Sequence, residues 1–581
     1  MSPPTIYSLS REIVTHIALY LRESREDASA RTALVSLATT CRYLSEPVLD
    51  VMWHTLPDVI PLLLALPADL CTITPEQPPL GPPYDRRKEF ILLRDPVPSD
   101  FERMSMYARR VKVLGACLIY GVRRPSVARE QHRSYKISDR MWDMLAAHGP
   151  TPLLPNLLEL HCTRARPHYD PTLPIEDCYP MGRHCSPKIF DFSLGAYPAA
   201  KRSAIDIVRS IARFAPNVRE LHWFAREGLT DLNGPDLRDL SCLRKIAAKD
   251  VVVLPSALWA LGTLPQLREV NTRLDFSKPE WNDLDVFPCG RTAALFPALE
   301  KLELEVVCIP GIVAFIETIT STSLAYLKMK VRGGKMPDIL LTAFCSSIGN
   351  SPFRGTLRTL ELDMQTGWWK PDPAFLYPTN SNSLRPLLSL QRLQTVSFNT
   401  DYPMVFIDDA FCHGISRSWP DIKVIEFHQI THGGRSYGWD EWDIDPEIGA
   451  PDCPKATLAG LIPLADHCLH LHKLEIPIDT RVRHKCFDPE LNRIPPCNMG
   501  ARGSRLYQFS AGVSVMGDPW EVASCLSLLF PFLKLRDSGS TRKYAWDRMW
   551  DIYPQFVRIR RQELRWRGRA EPSQPNGQDR E

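Results

Sequence analysis

The chain has 581 residues, 44% of them hydrophobic and 24% charged, so it can bury a large core, and one compact domain of that length would be unusual. Lys and Arg total 70 against 67 Asp and Glu, a net charge of +3 that sets up no bulk field toward nucleic acid or an anionic membrane surface. No apolar run reaches a membrane span, residues 1–20 lack the basic start and continuous apolar stretch of a secretion signal, and 16 Cys are scattered without a paired framework. A soluble chain of the cytoplasm and/or nucleus is predicted, with small buried thiols, no cofactor, no metal and no membrane or nucleic-acid partner. The 52 Pro and 29 Gly predict many breaks between short elements.

At the N-terminus Leu9, Ile13, Ile17 and Leu21 recur at helical spacing and predict an amphipathic helix, ended by the loop at 22–30. Leu34, Leu37, Cys41 and Leu44 mark a second helical stretch. Val48, Leu49, Met52, Trp53 and Leu56 mark a third, with Pro47 suited to its first turn. Three short helices enclose only a thin core, so some of these apolar positions are expected to face a partner.

The runs LSREIVTHIALYL at 9–21 and LVSLATTCRYLSEPVLDVMWHTL at 34–56 resemble the F-box, a helical module that docks onto the Skp-type adaptor of cullin-based ubiquitin ligases. Glu12 with Ile13, Cys41 with Arg42, and Trp53 with Leu56 fall where that motif places such pairs. The resemblance implies adaptor contacts from Leu9, Ile13, Ile17, Leu34, Leu37, Cys41, Leu44, Val48, Leu49 and Trp53. It departs at Ser10, where the F-box carries Pro after its first Leu; Ser10 can instead cap the helix that follows. The competing reading is that these helices only cap a repeat array.

Further along, one phrase keeps returning. It reads LPNLLELHC at 154–162, APNVRELHWF at 215–224, LPQLREVNT at 264–272, FPALEKLELE at 296–305, RGTLRTLELD at 354–363, LQRLQTVSFN at 390–399, WPDIKVIEFH at 419–428 and CLHLHKLEI at 468–476. Leu299, Leu302 and Leu304, or Leu357, Leu360 and Leu362, fit a short strand whose alternate residues share one face, with Glu303 and Glu361 on the other. Helical segments lie between, at 203–214 with Ile205, Val208, Ile211 and Ala212, and at 311–319 with Ile312, Phe315, Ile316 and Ile319. A unit of this kind cannot bury its apolar face alone and must stack on its neighbours. The predicted fold is α/β: three N-terminal helices, then an irregular array resembling the leucine-rich-repeat horseshoe, parallel strands inside and helices outside. The resemblance implies binding to a protein target. Repeat spacing is uneven, and the Asn that closes each leucine-rich-repeat turn is missing.

Polar, Pro-bearing stretches at 74–90, 123–139, 164–187, 365–386, 431–456 and 478–503 interrupt the array and are expected to project as loops. Trp368 and Trp369 in one, and Trp439 and Trp442 in another, are candidate target-binding residues, or seals over the repeat ends. His467, Cys468, His470 and His472 form the densest ligand-type cluster, with looser pairs at His428 and His432 and at His484 and Cys486. His470 and His472 are expected to share a strand face, but Leu469, Leu471 and Leu474 account for the segment as a repeat strand, so no metal is expected. No phosphate loop, dinucleotide glycine fingerprint, nucleophile elbow or HExxH appears, and no catalytic residue is nominated.

Near the end, Asp518, Pro519 and Glu521 predict a capping box for a helix buried through Val522, Cys525, Leu526 and Leu529. A basic helix over 544–563 follows, and 558–569 reads as its solvated face running into a tail at 570–581. With the N-terminal helices and the strand at 419–427, these segments resemble fungal F-box proteins with leucine-rich-repeat-like bodies. The expected layout is an adaptor-docking domain at 5–56, a helical, Pro-rich linker at 57–104, a repeat body at 105–535, a helix at 536–569 and a disordered tail. The resemblance implies a non-enzymatic substrate receptor of a cullin–RING ligase; the alternative is a repeat scaffold with no ligase link.

Overall fold

The computed structural model describes residues 10–23, 28–56, 59–75, 88–115, 135–137, 139–163, 189–194, 211–212, 216–225, 230–232, 235–277, 281, 295–307, 310–332, 338–365, 379–400, 405–429, 455–481, 504–511, 514, 516–534 and 543–569. The chain forms two compact units, 1–267 and 268–581. No helix among the described residues is long and apolar enough to cross a membrane.

The first unit begins with three helices: α1 (Arg11–Glu23), α2 (Ala28–Thr40) and α3 (Arg42–Trp53). Ser10 caps α1 as anticipated, its Oγ accepting the Ile13 N–H at 3.3 Å and its carbonyl the Val14 N–H at 3.2 Å. Val14, Ala18, Leu34, Leu44, Val48 and Val51 form the core of this triple. Chain then passes from α3 into β1 (Thr55–Leu56), which pairs in parallel with β4 (Val113–Leu114). Between them lie α4 (Ile60–Leu63), β2 (Cys71–Pro75), β3 (Lys88–Leu92) and α5 (Glu102–Ala108). β2 and β3 are antiparallel, and β5 (Tyr135–Ile137) joins β3 in parallel.

This corrects two expected boundaries. The described residues of 57–104 pack as part of the body and not as a linker, because Leu62, Leu63, Leu66, Leu70, Phe90 and Phe101 are buried there. The repeat sheet also starts at β1 rather than at residue 105. From β4 it continues through β6 (Glu159–Thr163), β7 (Ile189–Leu194), β8 (Glu220–Ala225) and β10 (Lys245–Val253), all parallel, with β9 (Thr230–Leu232) alongside β10. Of the helix expected over 203–214, Ile211 and Ala212 are helical and buried, and the rest lies outside the described residues.

The second unit runs β11 (Glu269–Leu274), β12 (Lys301–Val306), β13 (Tyr326–Arg332), β14 (Thr359–Gln365), β16 (Thr395–Thr400), β18 (Val424–Gln429), β19 (Lys473–Glu475) and β20 (Gln508–Ser510), each parallel to the next. A further parallel pair, β15 (Thr379–Asn380) with β17 (Val405–Phe406), stands apart. Helices Pro310–Thr318, Asp338–Gly349, Asp409–Ser418, Leu458–His467, Pro519–Leu529 and Lys543–Arg569 form the second layer, each packed on its neighbour directly or, between the second and third, through the short turn Arg385–Ser389.

The returning phrase explains this arrangement. Leu154, Leu264, Phe296, Leu390, Trp419 and Cys468, which open their phrases, are buried, and two of them close the preceding helix: the amides of Trp419 and Cys468 donate to the carbonyls of Ile415 and Leu464. The phrase's second apolar residue folds back on the first, as in Leu299 N–H to Phe296 O at 3.4 Å and Ile422 N–H to Trp419 O at 3.1 Å. Alternation then begins, so Leu302, Leu304 and Val306 are buried while Lys301, Glu303 and Glu305 are half-buried on the opposite face. One carbonyl just ahead of each strand accepts two successive amides from the next repeat, at Arg268, Glu300, Ala325, Arg358, Gln394, Lys423 and His472 in turn, which locks the register. His54 and Lys112 do the same in the first unit, so the end of α3 supplies the first rung.

Caps set the helix starts. Asp408 accepts the Phe411 N–H at 2.7 Å, Thr457 the Ala459 N–H at 3.1 Å, and Asp518 the Trp520 N–H at 2.9 Å, the last as read from sequence. Gly460 permits a close crossing of two helices, since a Cβ there would lie 2.5 Å from Asp409 Oδ1. Ile312, Phe315, Ile316 and Ile319 are fully buried, as their spacing predicts. Phe296 adopts φ 56°, and burial of its ring 5.9 Å from Phe315 offsets that strain.

Candidate functional site: three surfaces

The first surface lies on the N-terminal helices. The inward stripe of α1 is Val14 and Ala18, one position after Ile13 and Ile17. One residue is a 100° turn of helix, so Ile13, Ile17 and Tyr20 face solvent, 47%, 42% and 73% exposed. Val35 on α2 and Tyr43 on α3 are exposed as well. This apolar stripe at i, i+4 and i+7 sits outside a core that is already filled.

The other expected adaptor contacts divide accordingly. Leu34, Leu44 and Val48 are corrected to core positions, because their side chains are used up within the triple and present no surface. Leu37, Cys41 and Leu49 are half-buried, and Leu37 and Cys41 pack on that core. Trp53 stacks on Tyr107 of α5 with centroids 4.2 Å apart and planes at 11°, tying α3 to the body. Leu9 lies outside the described residues. The same tie is reinforced by Arg110, which bonds Glu46 Oε2 at 2.6 Å and also Asp50, and Asp50 takes Arg11 at 3.0 Å from α1. A cleft of about 730 Å³ beside this clasp is lined by Asp50, Phe101, Met106, Arg109, Arg110 and His148.

The second surface is the polar face of the sheet in the second unit. Register places an acidic column on each side of a basic one: Glu303 and Glu305 on β12, Lys328 and Lys330 on β13, Glu361 and Asp363 on β14. The charges are matched in place. Glu305 holds Arg273 at 3.3 Å and Arg332 at 3.0 Å, Glu303 holds Lys301 at 2.8 Å and Asn271 at 2.6 Å, and Glu361 holds Lys328 at 2.6 Å and the Tyr326 hydroxyl at 3.1 Å. Lys330 reaches Asp363 at 3.7 Å, and Glu426 pairs with Lys473. Lys301 also lies 4.9 Å from the Tyr326 ring centre. Burial, with Glu361 beside the hydroxyl, raises the Tyr326 pKa, so the phenol stays protonated and donates. This cross-strand lattice was legible only as scattered Glu and Lys in the sequence, because pairing depends on which strands become neighbours.

The third surface is the C-terminal end. Tryptophans 546 and 550 pack on Phe509 of β20, and Lys534 N–H bonds Tyr507 O at 2.7 Å, so the last strand does not offer an open edge to another chain. Beyond them Trp520 is 48% and Phe532 55% exposed. Trp368, Trp369, Trp439 and Trp442 lie outside the described residues, as do most of the interrupting loops and the tail 570–581.

The histidine cluster does not converge. His467 ends a helix, Cys468 is buried, His470 is exposed in a turn, and His472 stacks on Tyr507 at 5.4 Å just before β19. The expected shared strand face is therefore corrected: the strand begins only at Lys473, and Leu469 is exposed. Burial pushes the Cys468 thiol up to about 12, which keeps it protonated. His432, His484 and Cys486 lie outside the described residues, and among those described no three His, Cys, Asp or Glu gather at metal distance. Cys345, Cys412 and Cys525 are buried free thiols too, also raised by burial.

No family model matches the chain, and no curated protein matches it by sequence. Among solved structures it is similar to a leucine-rich-repeat protein of Leptospira interrogans, at 13% identity over 66% of this chain and 72% of that one, with a TM-score of 0.34. It is also similar to an internalin of Listeria monocytogenes, at 10% identity over 62% and 81%, with a TM-score of 0.31. The strand–helix repeat assignment stands on the in-order parallel ladders and the buried phrase positions themselves.

Proposed function

We propose that the chain is a non-catalytic substrate receptor of an SCF-type cullin–RING ubiquitin ligase, in which α1 to α3 dock on a Skp-type adaptor and the repeat body binds a protein target. The observation that carries this reading is the exposed stripe of Ile13, Ile17 and Tyr20 outside a completed three-helix core, within a segment that resembles the fungal F-box. Such a receptor performs no covalent step. It raises the effective concentration of target beside a charged conjugating enzyme whose chemistry belongs to other subunits. The cytoplasm and/or nucleus, where that machinery works, is the proposed location.

A second reading, a repeat scaffold with no ligase link, draws on the internal use of Leu34, Leu44, Val48 and Trp53. Co-expression with the adaptor separates the two. The ligase reading expects a stable complex that Ile13→Asp with Ile17→Asp abolishes while the fold persists; absence of any complex leaves the scaffold.

A further inference from the structure

The last helix, Lys543–Arg569, changes character halfway. Trp546, Met549, Trp550, Tyr553 and Val557 are buried at i, i+3, i+4, i+7 and i+11. After Val557 no described side chain is buried, and Ile559 is 51% exposed. Here arginine takes over, at 558, 560, 561, 565, 567 and 569, with Glu563 as the one acid, 3.5 Å from Arg560. Arginines favour a helix C-terminus, but that effect fades within the last turn and does not account for six of them over three turns.

An apolar element adjoins this charge. Trp520, half exposed, meets Phe556 edge to face at 6.2 Å. Phe556, Ile559, Arg560 and Glu563 share one helix face at i, i+3, i+4 and i+7. Aromatic, aliphatic and guanidinium groups thus lie together, in contrast to the sheet face, whose charges already satisfy one another.

We propose that this aromatic and arginine patch is a second protein-docking site, taking an acidic polypeptide segment with apolar anchors. Charge complementarity selects an acidic occupant, and Trp520, Phe556 and Ile559 select one that also offers apolar side chains. A lipid surface fits less well, because an interfacial helix needs a free apolar stripe and here that stripe is spent against the body. Nucleic acid fits less well too, since base stacking needs open ring faces and Trp520 with Phe556 already contact one another. The proposal does not rest on the ligase reading.

The test uses the full-length protein and a fluorescein-labelled peptide of alternating Glu and Leu, read by fluorescence anisotropy at low and at physiological salt. Saturable binding that weakens with salt is expected, together with a loss of about tenfold on Arg558→Glu with Arg561→Glu. Ile559→Ala and Trp520→Ala, both at half-exposed positions, are expected to weaken it several-fold with only a small fall in melting temperature and unchanged adaptor co-purification. The proposal is overturned if the peptide does not bind, if the charge-reversed variant binds it equally well, or if a poly-uridine oligomer or phosphatidylserine vesicles bind more tightly than the peptide.

Discussion

Replacing Ile13 and Ile17 together by Ala tests the division between the outward and inward stripes of α1. Each side chain is a little under half exposed, at 47% and 42%, so folding has already buried roughly half of what each can bury. Full burial of such a side chain stabilises by about 1.5–3 kcal/mol, which leaves about 1 kcal/mol apiece to be gained on docking. The double variant is thus expected to weaken adaptor binding by about 2 kcal/mol, roughly 30-fold in Kd by calorimetry. Its thermal stability is expected to fall by about 1 kcal/mol per site, the share of each side chain that folding already buries. Leu44→Ala supplies the contrast: at 2% exposure in the core of the triple, it is expected to cost about 2–5 kcal/mol of stability of that module. The reasoning fails if either isoleucine alone destabilises as much as Leu44, or if adaptor affinity stays the same without the pair.

Trp53→Ala removes a 4.2 Å stack on Tyr107, so faster amide exchange is expected at Lys112 and Val113, whose N–H groups bond His54 O at 2.9 Å; unchanged protection there rejects the tie. Glu305→Ala leaves Arg273, only 18% exposed, without its carboxylate and is expected to cost about 1–3 kcal/mol in urea denaturation. Glu300→Ala breaks a pair whose partners are 53% and 49% exposed and is expected to cost under about 1 kcal/mol, so equal losses contradict the account. Hydrogen bonds from the Arg94 guanidinium and the Val97 N–H hold the Asp100 carboxyl down to about 2. Because that lies below the unfolded value of about 3.9, the stabilisation is present above pH about 4 and lost as pH falls toward 2. Asp100→Asn is expected to flatten that acid limb of the urea midpoint, and an unchanged limb counts against the pair.

The eight phrases identified by spacing all fall on strands of the parallel sheet, because an apolar residue three positions on and then two further on is itself the geometry of a turn entering a strand. β13 escaped notice: Leu324, Leu327 and Met329 keep the spacing, but Ser321 and Thr322 stand where other phrases carry an apolar residue and Pro. It lies in the middle of one of the long apparent gaps. β1 and β4 escaped for another reason. Two residues each show no period, and they become strands only because His54 and Lys112 carbonyls meet amides distant in the chain.

Local chemistry therefore determined the repeat phrase, the helix caps at Ser10 and Asp518, and the buried faces of the helices at 311–319 and 519–529. Tertiary structure decided what periodicity leaves open. On α1 both Ile13 with Ile17 and Val14 with Ala18 satisfy a helical period, and only the positions of α2 and α3 select which pair turns inward. Likewise the partners of Glu303, Glu305 and Glu361 come from adjacent strands far away in sequence, so their pairing belongs to the register of the sheet and to no segment read alone.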